Sequence, residues 1–170
     1  KIQKAARIIY LNKTCYNGLF RVNNAGEFNT PFGHYKNPNI VNAPTLKAVS
    51  LYFNTADISF TTGDYSRALE NVKKGAFVYL DPPYDPVSST ANFTGYTKSG
   101  FGKEEQIRLR EVCDELNCKG IKFMLSNSAT DFIKEQYKNY NMIVVRAKRT
   151  INSNAEKRGQ VDEVVIRNYE

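Results

Sequence analysis

The chain has 170 residues, 41 % of them hydrophobic, which is enough for a domain with a real core. No apolar run approaches the ~20 residues needed to span a membrane, and Cys15, Cys113 and Cys118 are an odd, scattered set without metal-ligand spacing. Reduced thiols in a cytoplasmic protein without a metal centre are expected from that set, and 24 Lys plus Arg against 17 Asp plus Glu, net +7, points to a polyanion such as nucleic acid as partner.

In chain order, residues 1 to about 14 place Ala5, Ile8, Ile9 and Leu11 among basic residues, a short helix. From Asn12 to Asn42 the sequence is dense in Asn and Gly, punctuated by Pro31 and Pro38, with Tyr16, Phe20, Phe28, Phe32 and Tyr35 recurring; loops with one hairpin are expected. Ala43 to Phe53 predicts a helix with Pro44 in its first turn, where proline is tolerated. Strands and helices then alternate. Ile58–Thr62 predicts a strand, Tyr65–Val72 a helix ended by Gly75, and Phe77–Leu80 a strand. Lys103–Asn117 predicts a long helix with Leu109, Val112, Cys113 and Leu116 on one face, Glu104 and Glu105 in its first turn and Gly120 beyond its end. Ile121–Leu125, Met142–Val145 and Val161–Ile166 predict strands, with a helix at Asp131–Tyr137. The alternation implies an α/β layer fold with a largely parallel sheet, whose last two strands, lacking a helix between them, pair antiparallel.

One strand ends unusually. Phe77-Val-Tyr-Leu is followed by Asp81-Pro82-Pro83-Tyr84, and proline neither donates to a ladder nor leaves φ free. The prolines stop the strand and hold a carboxylate, two carbonyls and a ring in a stiff turn. Asp64 follows the preceding predicted strand and Asn127 the succeeding one, so polar groups gather at the carboxyl edge where α/β sheets bind ligands. Each alone reads equally as a helix cap or an Asx turn. An exocyclic amino group of a nucleobase gains positive charge as it attacks an electrophile. Two acceptors aimed at its hydrogens, the Asp81 carboxylate and the Pro82 carbonyl, would stabilise that charge, with Tyr84 stacked on a base flipped out of the duplex.

Asp-Pro-Pro-Tyr after an apolar strand resembles the signature of amino-group DNA methyltransferases; a chance match in a chain this long is on the order of one in a thousand. Residues 11–23 (Leu-Asn-Lys-Thr-Cys-Tyr-Asn-Gly-Leu-Phe-Arg-Val-Asn), 28–35 (Phe-Asn-Thr-Pro-Phe-Gly-His-Tyr) and 88–96 (Ser-Ser-Thr-Ala-Asn-Phe-Thr-Gly-Tyr) are similar to DNA adenine methylases of the Dam type, the D12 class. So are residues 149–154 (Arg-Thr-Ile-Asn-Ser-Asn) followed by 161–165 (Val-Asp-Glu-Val-Val). The resemblance implies methyl transfer from S-adenosylmethionine to N6 of a flipped adenine, within GATC, by a Rossmann-like methyltransferase fold with a mixed sheet and an antiparallel last strand. It implies a catalytic turn at Asp81, Pro82, Pro83 and Tyr84, and cofactor contacts at Asp64, Tyr65 and Asp81. Tyr16, Asn17, Leu19, Arg21, Asn29, Pro31, His34, Tyr35, Ser88, Thr90 and Asn92 are the implied DNA contacts. Arg21 suits a guanine edge, and Lys98, Arg149, Lys157 and Arg158 suit phosphates. The alternatives are ordinary packing for Tyr16 and Phe32, solvation for the cations, and an exposed turn for His34, which stands where the family usually has Arg or Lys. Residues 1–45 would be the target-recognition segment and 46–170 the C-terminal part of the catalytic domain.

The family's Phe-x-Gly-Gly loop has no counterpart here, and the chain opens on Lys1. The expectation is a fold incomplete at its N-terminus, inactive in isolation, with the N-terminal half as another chain or as further residues. In the family's strand order 3-2-1-4-5-7-6, Ile58–Thr62 would be strand 3 and Phe77–Leu80 strand 4, separated by the two absent strands, a gap of ~10 Å. Double-stranded DNA is the expected partner and the bacterial or phage cytoplasm or nucleoid the expected location, in restriction-modification or in replication and repair. Two rival functions stand beside the enzyme: a catalytically inactive DNA-binding remnant or partner subunit, and an enzyme acting on another amino group.

Overall fold

The computed structural model describes residues 1–23, 25–87, 101–148 and 160–170. It divides into two compact units, Lys1–Thr62 and Gly63–Glu170.

The first unit begins with α1 (Ile2–Thr14), followed by a short 3-10 turn at Tyr16–Gly18. The expected hairpin is present in miniature. Val22 bridges Phe28, and Asn23 donates its N–H to the Glu27 carbonyl at 2.9 Å. The Asn23 side-chain oxygen accepts from the N–H groups of Ala25 and Glu27, an Asx device that closes the turn without regular strands. A second bridge, Cys15 to Phe32, ties the end of α1 to the far side of the loop. Helix α2 (Ala43–Thr55) starts where Asn42 accepts from the Thr45 N–H, with Pro44 in the first turn. The predicted strand at Ile58–Thr62 does not form. A strand exists through its partners, and this segment is paired with none among the described residues; Phe60 instead sets its ring edge-on to Phe53, at 5.0 Å.

The second unit holds α3 (Tyr65–Leu69), β1 (Phe77–Leu80), α4 (Lys103–Cys118), β2 (Lys122–Ser128), α5 (Asp131–Gln136), β3 (Asn141–Lys148) and β4 (Gln160–Arg167). Helix α3 is shorter than the expected Tyr65–Val72, because the chain turns after Leu69 and Val72 donates back to the Leu69 carbonyl. The sheet order is β1-β2-β4-β3. β1 and β2 are parallel, while β4 runs antiparallel to both β2 and β3, so the sheet is mixed, with an antiparallel last strand, rather than largely parallel. That order matches the 4-5-7-6 end of the expected topology. Among the described residues β1 pairs with β2 alone and is the edge of this sheet.

Helix α4 packs on β2 through Gln106, Leu109, Cys113 and Leu116, a buried stripe at helical spacing. Its end is a Schellman cap: Gly120 (φ +67°) donates to the Asn117 carbonyl and Ile121 to the Leu116 carbonyl, both at 2.9 Å. Leu116 and Ile121 then join Val78, Leu80, Phe123, Leu125, Ile133, Tyr137, Val164 and Ile166 in one core. The alternation of β1 is visible in its burial. Val78 and Leu80 face the core, whereas Phe77 and Tyr79 are exposed on the other face. No helix among the described residues is long and apolar enough to cross a membrane.

Candidate active site and nucleic-acid interface

Asp81 leaves β1 on the face of Phe77 and Tyr79, so its carboxylate is exposed where the strand ends. Neighbouring residues of β2 hold the turn from opposite sides. Ser126 and Asn127 point to opposite faces of the sheet, as successive strand residues must. Ser126 donates from Oγ to Asp81 Oδ1 at 2.9 Å, and the Tyr79 hydroxyl lies 3.3 Å from the same Oγ. On the core face Asn127 is fully buried, and its Oδ1 accepts the N–H groups of Asp85 and Ser128 at 2.9 and 2.8 Å. Its Nδ2 donates to Gln106 Oε1 at 3.1 Å, and Gln106 Nε2 donates to the Pro83 carbonyl at 2.9 Å. Thr130 donates to Asp85 Oδ2 at 2.7 Å and caps α5 through the Ile133 N–H. Tyr84 is half-buried, and loss of solvent raises its phenol above the ordinary range.

Asp64 and Tyr65 form a second cluster in the same unit. Asp64 caps α3 through the Ser66 N–H and accepts the Ser66 hydroxyl at 2.6 Å. Arg108 of α4 grips the carboxylate with both ends, Nη2 to Oδ1 at 2.8 Å and Nη1 to Oδ2 at 2.9 Å. These bonds, Arg108 first and Ser66 next, hold the Asp64 carboxyl far below the usual carboxylate range. The Arg108 guanidinium also lies 5.1 Å from the centre of the Tyr65 ring. Burial raises the Tyr65 phenol, whose hydroxyl is buried with no partner among the described residues. Helix α4 therefore touches both clusters, through Gln106 and through Arg108.

In the first unit, the expected DNA-contacting residues share one loop system. Tyr16 donates its N–H to the Pro31 carbonyl at 2.8 Å, and Gly33 donates to the Thr14 carbonyl at 2.8 Å. The Tyr35 hydroxyl accepts the Asn17 N–H at 2.8 Å, which fixes Asn17 in its left-handed conformation (φ 52°). Leu19 closes the system through its carbonyl, which accepts from the Cys15 thiol at 3.4 Å. Arg21 and Asn29 face each other. Arg21 Nε donates to Asn29 Oδ1 and Nη2 to the Asn29 carbonyl, both at 2.9 Å, leaving three of its N–H groups. Tyr16 and Phe32 are 46 % and 56 % exposed, against the packing alternative, and His34 is an exposed loop residue with φ 54°. Ser88, Thr90, Asn92, Lys98, Arg149, Lys157 and Arg158 lie outside the described residues.

Three contributors escaped the sequence reading. Gln106 sits at the head of the α4 stripe, where its spacing to Leu109 and Cys113 was the available signal. Arg108 carried none, since its partner is 44 positions away. Gly33 has no positive φ; its need is steric, because a Cβ there would stand 2.8 Å from the Cys15 carbonyl and clash with the edge of the Tyr35 ring.

Residues 1–151 match the model of the D12 class N6 adenine-specific DNA methyltransferases. The chain belongs to that family. Among its relatives, the type II methyltransferase M1.LlaDCHI of Lactococcus lactis subsp. cremoris is 41 % identical over 99 % of this chain and 60 % of its own length. The type II methyltransferase M.MjaIII of Methanocaldococcus jannaschii is 44 % identical over 99 % of this chain and 58 % of its own length. The DNA adenine methylase of Escherichia coli K12 is 36 % identical over 96 % and 58 %. The chain thus spans about three fifths of the length of these relatives. S-adenosylmethionine is the cofactor of the family.

Proposed function

We propose that this chain carries the catalytic turn and the target-reading surface of a DNA adenine-N6 methyltransferase that methylates a flipped adenine within GATC. The observation that carries the reading is the exposed Asp81 carboxylate, steadied by Ser126 beside a doubled proline at the open end of β1. With Oδ1 accepting from Ser126, Oδ2 remains for one hydrogen of the adenine amino group. The Pro82 carbonyl takes the other, since Pro83's is turned to the buried Gln106 amide. As N6 becomes bonded to carbon its hydrogens become acidic, and both acceptors stabilise the charge that develops there. Asp81 then receives the proton that N6 sheds. Tyr84, neutral and half-buried, stacks on the base. A duplex hides its bases, so the adenine reaches the turn by flipping.

S-adenosylmethionine, when bound, supplies an electrophilic methyl group on a sulfonium. Asp64 and Tyr65 fit its adenine moiety: Oδ2 of Asp64 accepts one bond from Arg108 and keeps a lone pair for an amino hydrogen, and Tyr65 offers a ring held by Arg108. In the other unit, Arg21 reads a guanine edge with Asn29 fixing its plane, and the exposed rings of Tyr16 and Phe32 meet the opened base stack. Ser88, Thr90 and Asn92 belong to the same DNA-binding set. Residues 1–45 act as the recognition segment and 46–170 as part of the catalytic domain.

The test is transfer of radiolabelled methyl from S-adenosylmethionine to a GATC duplex and to single-base variants. It is run with this chain alone and with the chain supplied with the N-terminal two fifths of a relative. Transfer confined to adenine of GATC in the supplemented reaction is expected. Duplex binding without transfer in both reactions would support the rival reading, a DNA-binding subunit without chemistry.

A further inference from the structure

The catalytic turn cannot hold itself. Pro82 and Pro83 lack N–H groups, so the backbone between Asp81 and Tyr84 offers almost no donors for local hydrogen bonds. What fixes it comes from elsewhere, and on the core side it is a chain of two buried amides. The order of donors sets both amide orientations. The Pro83 carbonyl can only accept, so Gln106 presents Nε2 to it and Oε1 to Asn127. Asn127 in turn presents Nδ2 to Gln106 and Oδ1 to the Asp85 and Ser128 N–H groups. Gln106 is 1 % exposed and Asn127 fully buried, so neither exchanges these bonds for water. The turn is pinned at Pro83 and at Asp85, on either side of Tyr84.

We propose that Gln106 and Asn127 are positioning residues for methyl transfer: together they anchor the Pro83 carbonyl and set the aim of the Pro82 carbonyl and the Asp81 carboxylate. This rests on the methyltransferase reading above. A base amino group has two reacting hydrogens and the turn holds three acceptors in sequence. The bond to Gln106 turns the Pro83 carbonyl toward the buried amides, which leaves the Pro82 carbonyl and the Asp81 carboxylate as the acceptors for the two hydrogens. Ser126 works from the opposite face on the carboxylate, so the turn is gripped on both sides by consecutive residues of β2.

The test uses Gln106→Met, Gln106→Glu and Asn127→Asp in whichever form of the protein transfers methyl in the assay above. Met fills the space without hydrogen bonds, Glu places an acceptor against the Pro83 carbonyl, and Asp keeps the Asp85 and Ser128 bonds while losing the donor to Gln106. We expect kcat to fall by ~10²-fold in each, with duplex Kd and the KM for S-adenosylmethionine within about threefold of the parent. With 2-aminopurine at the target adenine, the fluorescence of the captured base should change while binding does not. A merely structural role predicts lower melting temperatures with parental kcat below them; folded variants with parental kcat would overturn the proposal. Should the variants not fold, the parent decides: the side-chain amide protons of Gln106 and Asn127 must exchange far more slowly than those of an exposed amide such as Asn39. Equal rates would refute the clamp. If neither the chain alone nor the supplemented form transfers methyl, the methyltransferase reading falls instead, leaving the exchange measurement to judge the clamp separately.

Discussion

The two units solve different problems with similar sequence material. In Gly63–Glu170, Phe123, Leu125, Ile133, Tyr137 and Val164 are fully buried in a core shared by sheet and helices. In Lys1–Thr62, Cys15 is the one buried hydrophobic residue among those described, while Tyr16, Phe20, Phe32 and Tyr35 stay exposed on loops tied by backbone bonds and Asn side chains. Aromatics such as Phe123 and Tyr137 thus serve as filling in one unit, while Tyr16 and Phe32 serve as surface in the other. A rigid core suits a group that must be aimed within fractions of an ångström. Exposed rings and amides on a hydrogen-bonded loop suit a surface that conforms to DNA, where contacts rather than burial supply the energy.

The sharpest way to break this comparison is to remove one ring from each unit. Phe123→Ala should destabilise the second unit by ~3–5 kcal/mol through the cavity it leaves, whereas Phe32→Ala should change folding stability by no more than about 0.5 kcal/mol. Chemical denaturation followed by circular dichroism checks both, and equal losses would mean that Phe32 is core after all. Next in size is the reading surface. Arg21→Ala should reduce discrimination between GATC and its single-base variants by about 1–3 kcal/mol, and Asn29→Ala, which removes only the side-chain acceptor orienting it, by ~0.5–1.5 kcal/mol. Equal weakening on every duplex would make Arg21 a phosphate contact.

Smaller effects follow from the titrating groups. Asp64's carboxyl is held low by Arg108 and Ser66, so any stability it lends is present above the ordinary carboxylate value of ~4 and lost only as pH falls through the depressed one. The pair is exposed to solvent, so the effect on stability is small. NMR titration of the Asp64 carboxyl carbon should show it still ionised where free Asp is protonated, and Arg108→Ala should raise its midpoint. Thiol labelling should find Cys118 first, since it is exposed, while burial pushes the Cys113 thiol up to about 12 and Cys15 is enclosed.

Elements with a local cause were legible in the sequence. Phe77–Leu80 is a short apolar run cut by two prolines, and α4 has its acidic first turn, apolar stripe and Gly120, so both emerged as expected. Ile58–Thr62 has strand composition, yet composition cannot supply a partner, and no strand formed. The Asp81 turn was visible because its residue types are rare together. Its supports were not, because Gln106 and Asn127 lie 23 and 42 positions from the groups they hold. Asn127 was noticed as a polar residue near a strand end, but its role as a buried anchor depends on the parallel pairing of β1 with β2.

The central claim is that the rigid unit supplies the chemistry through Asp81 and not the grip on DNA. Methyl transfer and duplex binding by Asp81→Ala, measured side by side with the parent, test it most directly. The account predicts that transfer falls by at least ~10²-fold, because the lost acceptor acts where charge develops in the transition state, while duplex Kd stays at the parental value. Transfer within about tenfold of the parent, or a loss that tracks weakened duplex binding, would contradict it.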